Sequence, residues 1–299
     1  MMFRKTGVAA LGAAASLIAL AGCSTSANTP AASTGTSSAS GGAVSSTTAA
    51  STGGGGTGET SASVLAGSLV KMATENSVTI TGSTTGGTAG TDSQLSGVYQ
   101  GQPTEFSMNV VTTGGTAAGT TSVVYDGSNF YLKVPELSAM AGGKPWVEFT
   151  SASLSSGLGT SFAPMIDNLK NNTGGVQLQA LLASGTLQNL GSDTVNGTQA
   201  THYSGTIDDS QIEAISSVNG LTPAQVQQVK QLFQAGGVTS ETIDLWIAPS
   251  GLPVQVKVAA KSTVLGTTTD TTDFSDWGAP VSITVPPASE VGTLSLPTG

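Results

Sequence analysis

Apolar residues change rhythm several times along the chain, and each change marks a region. They run almost unbroken from about Val8 to Ala21, then nearly vanish between Ser24 and about Ser61. A helical period begins near Ala62, where Val64, Leu65, Leu69, Val70, Met72 and Ala73 fall on one side, with Lys71 and Glu75 off it. After Asn76 the period drops to two. Residues 77–83, 93–101, 104–112, 120–126 and 129–134 carry β-branched and aromatic residues between Gly, Asp and Asn turns, and they predict five strands. Phe106, Met108 and Val110 alternate with Ser107, Asn109 and Val111, and Val123 and Tyr125 with Ser122 and Val124. Asp126-Gly127-Ser128-Asn129 reads as a tight hairpin link.

The middle of the chain breaks this meander. Phe162, Met165, Ile166 and Leu169 have helical spacing, and residues 176–182 predict a second short helix. Strands return at 189–195 and 199–207, joined by a turn at Asn196-Gly197. Two more helices follow. Asp208 or Asp209 caps one running through Ile212 and Ile215. Thr222 caps the other, with Pro223 at its first position and Val226, Val229, Leu232 and Phe233 on one face. Residues 241–248, 253–263, 267–274 and 281–285 predict closing strands, followed by a short tail from 291.

Short hairpins rather than crossover helices exclude a doubly wound α/β fold. The pattern predicts an α+β domain over 62–290, built as one large curved antiparallel β-sheet, a half-barrel, with helices packed over its concave face. On that face the alternation places Ile80, Val98, Phe106, Met108, Val110, Val123, Tyr125, Phe130, Leu132, Ile243, Leu245, Val256 and Val258. Helix residues Met165, Leu169, Val229 and Phe233 face them. The same residues would serve a closed core or a ligand cavity, and periodicity does not separate the two.

The N-terminus supplies a second kind of signal. Arg4 and Lys5 precede the apolar run, which is too short to span a bilayer comfortably and ends in Leu20-Ala21-Gly22-Cys23. This resembles the lipobox of bacterial lipoproteins, in which the thiol is diacylated and the chain is cut before it. Residues 1–22 are then a signal peptide, and Cys23, the one cysteine, is the first mature residue. Each buried lipid CH₂ contributes roughly 0.8 kcal/mol, so several acyl chains hold such a protein to a membrane. The Ser/Thr/Gly-rich stretch from 23 to 61 reads as a flexible linker, about 38 residues averaging roughly 30–35 Å end to end. The expected location is the outer face of the cytoplasmic membrane, lipid-anchored.

Charge narrows the partners. Arg4 is the only arginine; without Arg4 and Lys5, seven lysines face 18 acidic residues, a net charge near −11. Such a surface argues against nucleic acid and against a polybasic grip on anionic headgroups. With one cysteine, no disulfide forms within the chain, and stability rests on its core.

Several segments carry a resemblance: Tyr125-Asp126-Gly127-Ser128-Asn129-Phe130-Tyr131, the stretch from Asp193 to Tyr203, Asp244-Leu245-Trp246-Ile247, and Phe274-Ser275-Asp276-Trp277-Gly278 with Pro280-Val281 and Pro286. Over roughly residues 64 to 290 the chain resembles the LppX/LprA/LprF/LprG family of actinobacterial cell-envelope lipoproteins. The resemblance implies a half-barrel similar in shape to the LolA and LolB carriers, with an apolar cavity that holds acyl chains of a lipid or glycolipid. It also implies envelope transport partners and a monomeric chain. Against the family pattern, the linker is long and the Val111–Thr121 connection rich in glycine.

Catalytic chemistry finds little support. His202 is the only histidine and points outward in a strand where Tyr203 and Ile207 point inward. No serine sits in a GxSxG elbow, Gly159-Thr160-Ser161-Phe162-Ala163 being the nearest approach. Gly53, Gly55 and Gly58 spell GxGxxG only because they lie in a glycine tract with no strand before them. Asp270, Asp273 and Asp276 have calcium-loop spacing without the glycine or the terminal Glu. The sequons at Asn171 and Asn196 carry no expected role. The chain is therefore expected to be no enzyme, to use no metal or cofactor, and to bind acylated lipid. The alternative is a closed-core module that senses or scaffolds other envelope proteins.

Overall fold

A strand from the start of the domain lies beside a strand from its end, and this pairing joins two meanders into one sheet. The computed structural model describes residues 60–87, 90–115, 118–150, 175–208, 233–234 and 236–293. The expected signal peptide, Cys23 and the linker up to 59 lie outside them, as do most of the expected helices over 162–169 and 208–233.

Helix α1 (Ser61–Thr74) is capped by Thr60, whose Oγ1 accepts from the Ser63 N–H, and ends where Glu75 N–H bonds Lys71 O. Its buried stripe is Leu65, Ser68 and Met72. Val70, expected on that side, is 66% exposed. Five positions beyond Leu65 lies about 140° around the helix, which carries Val70 off the stripe.

Strands β1 (Ser77–Gly86), β2 (Asp92–Gln100), β3 (Glu105–Thr113), β4 (Gly119–Tyr125), β5 (Phe130–Lys133) and β6 (Trp146–Phe149) form the first antiparallel meander. Strands β7 (Gln188–Val195), β8 (Thr198–Asp208), β9 (Val238–Ile247), β10 (Pro253–Ser262) and β11 (Gly266–Ser275) form the second. β1 pairs with β11 from Thr79↔Ser275 to Gly86↔Thr268. A short β12 (Val291–Thr293) adds to β6 in parallel, so the twelve strands run β12-β6-β5-β4-β3-β2-β1-β11-β10-β9-β8-β7. The sheet is open. Its inner face carries α1 and α3 (Gly175–Ala183); a single turn, α2 (Pro135–Ser138), leads into β6. This is the expected curved α+β sheet with helices on one face.

Three details depart from expectation. β6 follows Pro145 and is only four residues long, which gave the alternation too little to show. Residues 281–285 form no strand: Pro280, Pro286 and Pro287 lack N–H donors around that segment. The chain past 290, expected as a tail, supplies β12.

The hairpin read at Asp126–Asn129 is present. Asp126 Oδ1 accepts from the N–H groups of Ser128 and Asn129 at 2.9 and 2.7 Å, and Gly127 takes φ 86°.

Phe106 is fully buried on the inner face, whereas Val98 sits half-buried on the outer one. Phe106→Ala is expected to cost about 3–5 kcal/mol of stability, and Val98→Thr less than about 1 kcal/mol. Urea unfolding of the two variants checks which face holds the core.

Candidate functional site

The inner face is built from cross-strand rows, because directly paired residues of neighbouring strands point the same way. One row runs Val78–Tyr99–Phe106–Tyr125–Phe130–Phe149 across six strands. Its rings pack with centroids 5.5 Å apart for Phe106 and Tyr125, 6.2 Å for Phe106 and Phe130, and 6.5 Å for Phe130 and Phe149. The next row runs Phe274–Ile80–Gly97–Met108–Val123–Leu132–Val147. Gly97 is required there, since a Cβ would lie 2.5 Å from Ser107 O.

In the second meander the inner positions are Tyr203, Gly205 and Ile207 of β8, Glu241, Ile243, Leu245 and Ile247 of β9, and Val256, Val258 and Ala260 of β10. α3 closes over β8 at Gly205, where a Cβ would meet Leu181 Cδ1 at 2.6 Å.

Twelve of the expected lining residues thus share the inner face: Ile80, Phe106, Met108, Val110, Val123, Tyr125, Phe130, Leu132, Ile243, Leu245, Val256 and Val258. Val98 does not. It pairs with Thr79 and Ser107, and the inward residues of β2 are Ser93, Leu95, Gly97 and Tyr99. Gly97 breaks the apolar alternation of β2, and that gap made Val98 look like its inner position. Phe233 is buried, at 1% exposure. Met165, Leu169 and Val229 lie outside the described residues. Phe106, Phe130, Leu132, Ile243 and Leu245 are almost fully excluded from solvent, so they pack against neighbours rather than bordering open space. Inward residues that keep accessible surface are Leu95, Tyr99, Val110, Tyr125 and Val258. A cleft of about 610 Å³ opens at the Tyr99 end of the strands, lined by Met72 to Val78, Tyr99, Gly101, Gln102 and Trp277. None of the expected lining residues borders it.

Toward the far ends of the strands the inner face turns polar. Ser93 Oγ lies 3.1 Å from Thr112 Oγ1, and Thr84 Oγ1 donates to Asp270 Oδ1 at 2.5 Å. Asp270 and Glu241 are both inward and at most 4% exposed. Asp270 Oδ2 and Glu241 Oε2 have no hydrogen-bond partner among the described residues. Burial, with Asp270's charge adding to it, pushes the Glu241 carboxyl from 4.5 up to about 7. Burial also pushes Asp270 up, against the Thr84 hydrogen bond. Glu241 was legible in principle: it is in phase with Ile243, Leu245 and Ile247. Asp270 and Asp273, spaced like calcium ligands, face opposite sides of the sheet, and the described residues hold no cluster of metal ligands.

The outer face holds the remaining candidates. His202 stacks on Trp246 at 4.2 Å and bonds Asp244 at 3.0 Å. Trp246 Nε1 donates to Asp193 at 2.9 Å, which holds that carboxyl below the usual range. With Trp246 and Asp244 as the partners of His202, this network reads as structural.

No family model matches the chain. An uncharacterised 31.2 kDa protein of Streptomyces griseus is 32% identical over 173 residues, 58% of this chain and 56% of that one. A candidate lipoprotein of Streptomyces coelicolor is 26% identical over 192 residues, 61% of this chain and 57% of that one. The chain spans just over half the length of these curated relatives. Among solved structures, it is similar to LprF of Mycobacterium bovis at 19% identity and TM-score 0.45, covering 75% of this chain and 96% of LprF. It is likewise similar to LppX of Mycobacterium tuberculosis at 19% identity and TM-score 0.43, covering 75% of this chain and all of LppX. The resemblance drawn from the motifs names these same two proteins.

Because the folded state raises the Glu241 pKa, it binds a proton more readily than the unfolded chain. Stability is therefore expected to fall as pH rises from about 4.5 through about 7, by up to about 3 kcal/mol from this group, with Asp270 acting in the same direction. Urea midpoints at pH 5 and 8 check this: Glu241→Gln should flatten the decline, and an equally steep one would contradict it.

Proposed function

We propose that this chain is a membrane-anchored, non-enzymatic lipoprotein that binds acylated lipid or glycolipid against its inner face and carries or presents it in the cell envelope. One observation carries the reading. The inner face keeps accessible apolar surface at Leu95, Tyr99, Val110, Tyr125 and Val258, and a cleft of about 610 Å³ opens at the Tyr99 end of the strands. That volume falls in the range of small-molecule sites, and the accessible apolar residues of the inner face suit acyl chains. The lipobox at Leu20–Cys23 supplies the anchor and leaves the domain facing outward. LppX is itself described as a lipoprotein, as is the Streptomyces coelicolor relative in candidate form. Envelope partners, a monomeric state and a place on the outer face of the cytoplasmic membrane complete the proposal.

A closed-core interaction module is the competing reading, and the tight packing of Phe106, Phe130 and Leu132 favours it. Native mass spectrometry of the chain from residue 23, carrying Cys23→Ala and purified without detergent, separates the two. A lipid-sized adduct lost on denaturation is expected. A bare mass that persists after incubation with envelope lipid extract would reject the lipid reading. The anchor has its own test: palmitate labelling in cells should mark the wild-type chain and be abolished in Cys23→Ala, and a labelled variant would place the acyl group elsewhere.

A further inference from the structure

We infer that Glu241 and Asp270 form a recognition site for a positively charged amine headgroup at the polar end of the inner face. The inference rests on the lipid reading above and gives the ligand a chemical class.

The two carboxylates belong to β9 and β11, with β10 between them. Register places Asp270 beside Val258 and Thr84, and Glu241 beside Ala260, one inward position further along. Two strand spacings set the backbones on the order of 10 Å apart, and inward side chains on a concave sheet converge. Both residues are more than nine-tenths buried, and each presents an oxygen without a partner, Glu241 Oε2 and Asp270 Oδ2. Two further buried side-chain oxygens without a partner, Ser68 Oγ of α1 and Gln177 Oε1 of α3, belong to the helices and not to this pair. Native interiors pair such atoms almost without exception, so the two orphan carboxylate oxygens point to missing donors.

A cation answers this need better than a neutral hydroxyl. A hydroxyl can supply hydrogen bonds, but it leaves the charge uncompensated; an ammonium supplies three donors and the opposite charge together. The protein offers no such cation from the described residues. Lys257 and Lys261 are exposed on the outer side of β10. Lys71 donates to Ser250 O, Lys144 to Ser289 O, and Lys133 lies over the Trp146 ring. With no arginine in the domain and no lysine among the described residues facing this end, an anionic headgroup would meet two carboxylates instead.

The test uses the chain from residue 23 carrying Cys23→Ala, and three probes of equal length: hexadecylamine, hexadecanol and palmitate. Dissociation constants are read at pH 8 by displacement of N-phenyl-1-naphthylamine. Hexadecylamine is expected to bind at least tenfold more tightly than the other two. Glu241→Gln and Asp270→Asn should each bring the amine-to-alcohol ratio to within about twofold. Both replacements are near-isosteric and remove an unpaired buried charge, and thermal melts check that the variants remain folded. Equal binding of all three probes would overturn the amine site while leaving the lipid reading in place. An amine preference that survives both substitutions would overturn the assignment to these carboxylates. Failure of all three to bind would remove the lipid reading itself.

Discussion

The pairing of β1 with β11 is the constraint on which the rest of the sheet depends. Most strand pairs within each meander are local hairpins joined by short links, with longer connections only before β6 and β9. The β1–β11 ladder instead joins residues nearly the whole domain apart, so its closure carries the loop entropy that the hairpins avoid. The segment after β11 reinforces it. Gly278 N–H bonds Ser77 O, Ser77 Oγ bonds Ala279 O, Trp277 Nε1 donates to Pro253 O, and Trp277 packs on Phe274 at 5.8 Å. The Asp-Trp-Gly motif is thus a clasp at the centre of the sheet. The same ladder puts Thr84 against Asp270, so it also assembles the polar end of the inner face from two distant pieces of sequence.

Much of this was legible, and the reasons for success and failure are physical. Alternation was clear in β3, β4 and β9 because one face meets the core and the other water, and their inward residues fall where the period of two puts them. It failed at Val98 because Gly97, demanded by the close approach of Ser107 O, occupies an inner position without looking apolar. It failed for residues 281–285 because β-branched residues there lie between prolines that cannot support a ladder. Glu241 and Asp270 escaped for a different reason: an acid in phase with apolar neighbours, as Glu241 is, reads as an interruption, and for Asp270, among threonines, only the register shows that it points inward. The expected residues Met165, Leu169 and Val229, like Cys23, belong to parts of the chain outside the described residues.

The outer face shows how a sheet with few charges keeps one side structured through its own side chains. The tip of the β7–β8 hairpin reaches across it: Asn196 Nδ2 donates to Asp273 Oδ1 at 2.7 Å, and Val195 and Ala200 pack with Trp246 and Val254. Asp193 and His202 tie the Trp246 ring from two sides. This accounts for the single histidine without chemistry.

The energetic asymmetry between the two ends of the inner face is the strongest reason to read it as more than a core. A packed aromatic row needs nothing beyond shape, and Phe106, Phe130 and Phe149 meet that need among themselves. Two buried carboxylates with idle oxygens are costly in a chain that could place Thr or Val at either site. Thr84, Ser93, Thr112 and Thr272 already show that the fold can line this region with neutral groups, two of them hydrogen-bonded to each other. The acids therefore lower the stability of the empty domain while leaving the fold itself unchanged. A ligand with an apolar tail and a donor-rich head reverses both penalties at once, since its tail covers accessible inner surface and its head meets the orphan oxygens. On that argument the amphiphilic character of the cargo is written into the polarity gradient of the face that would hold it.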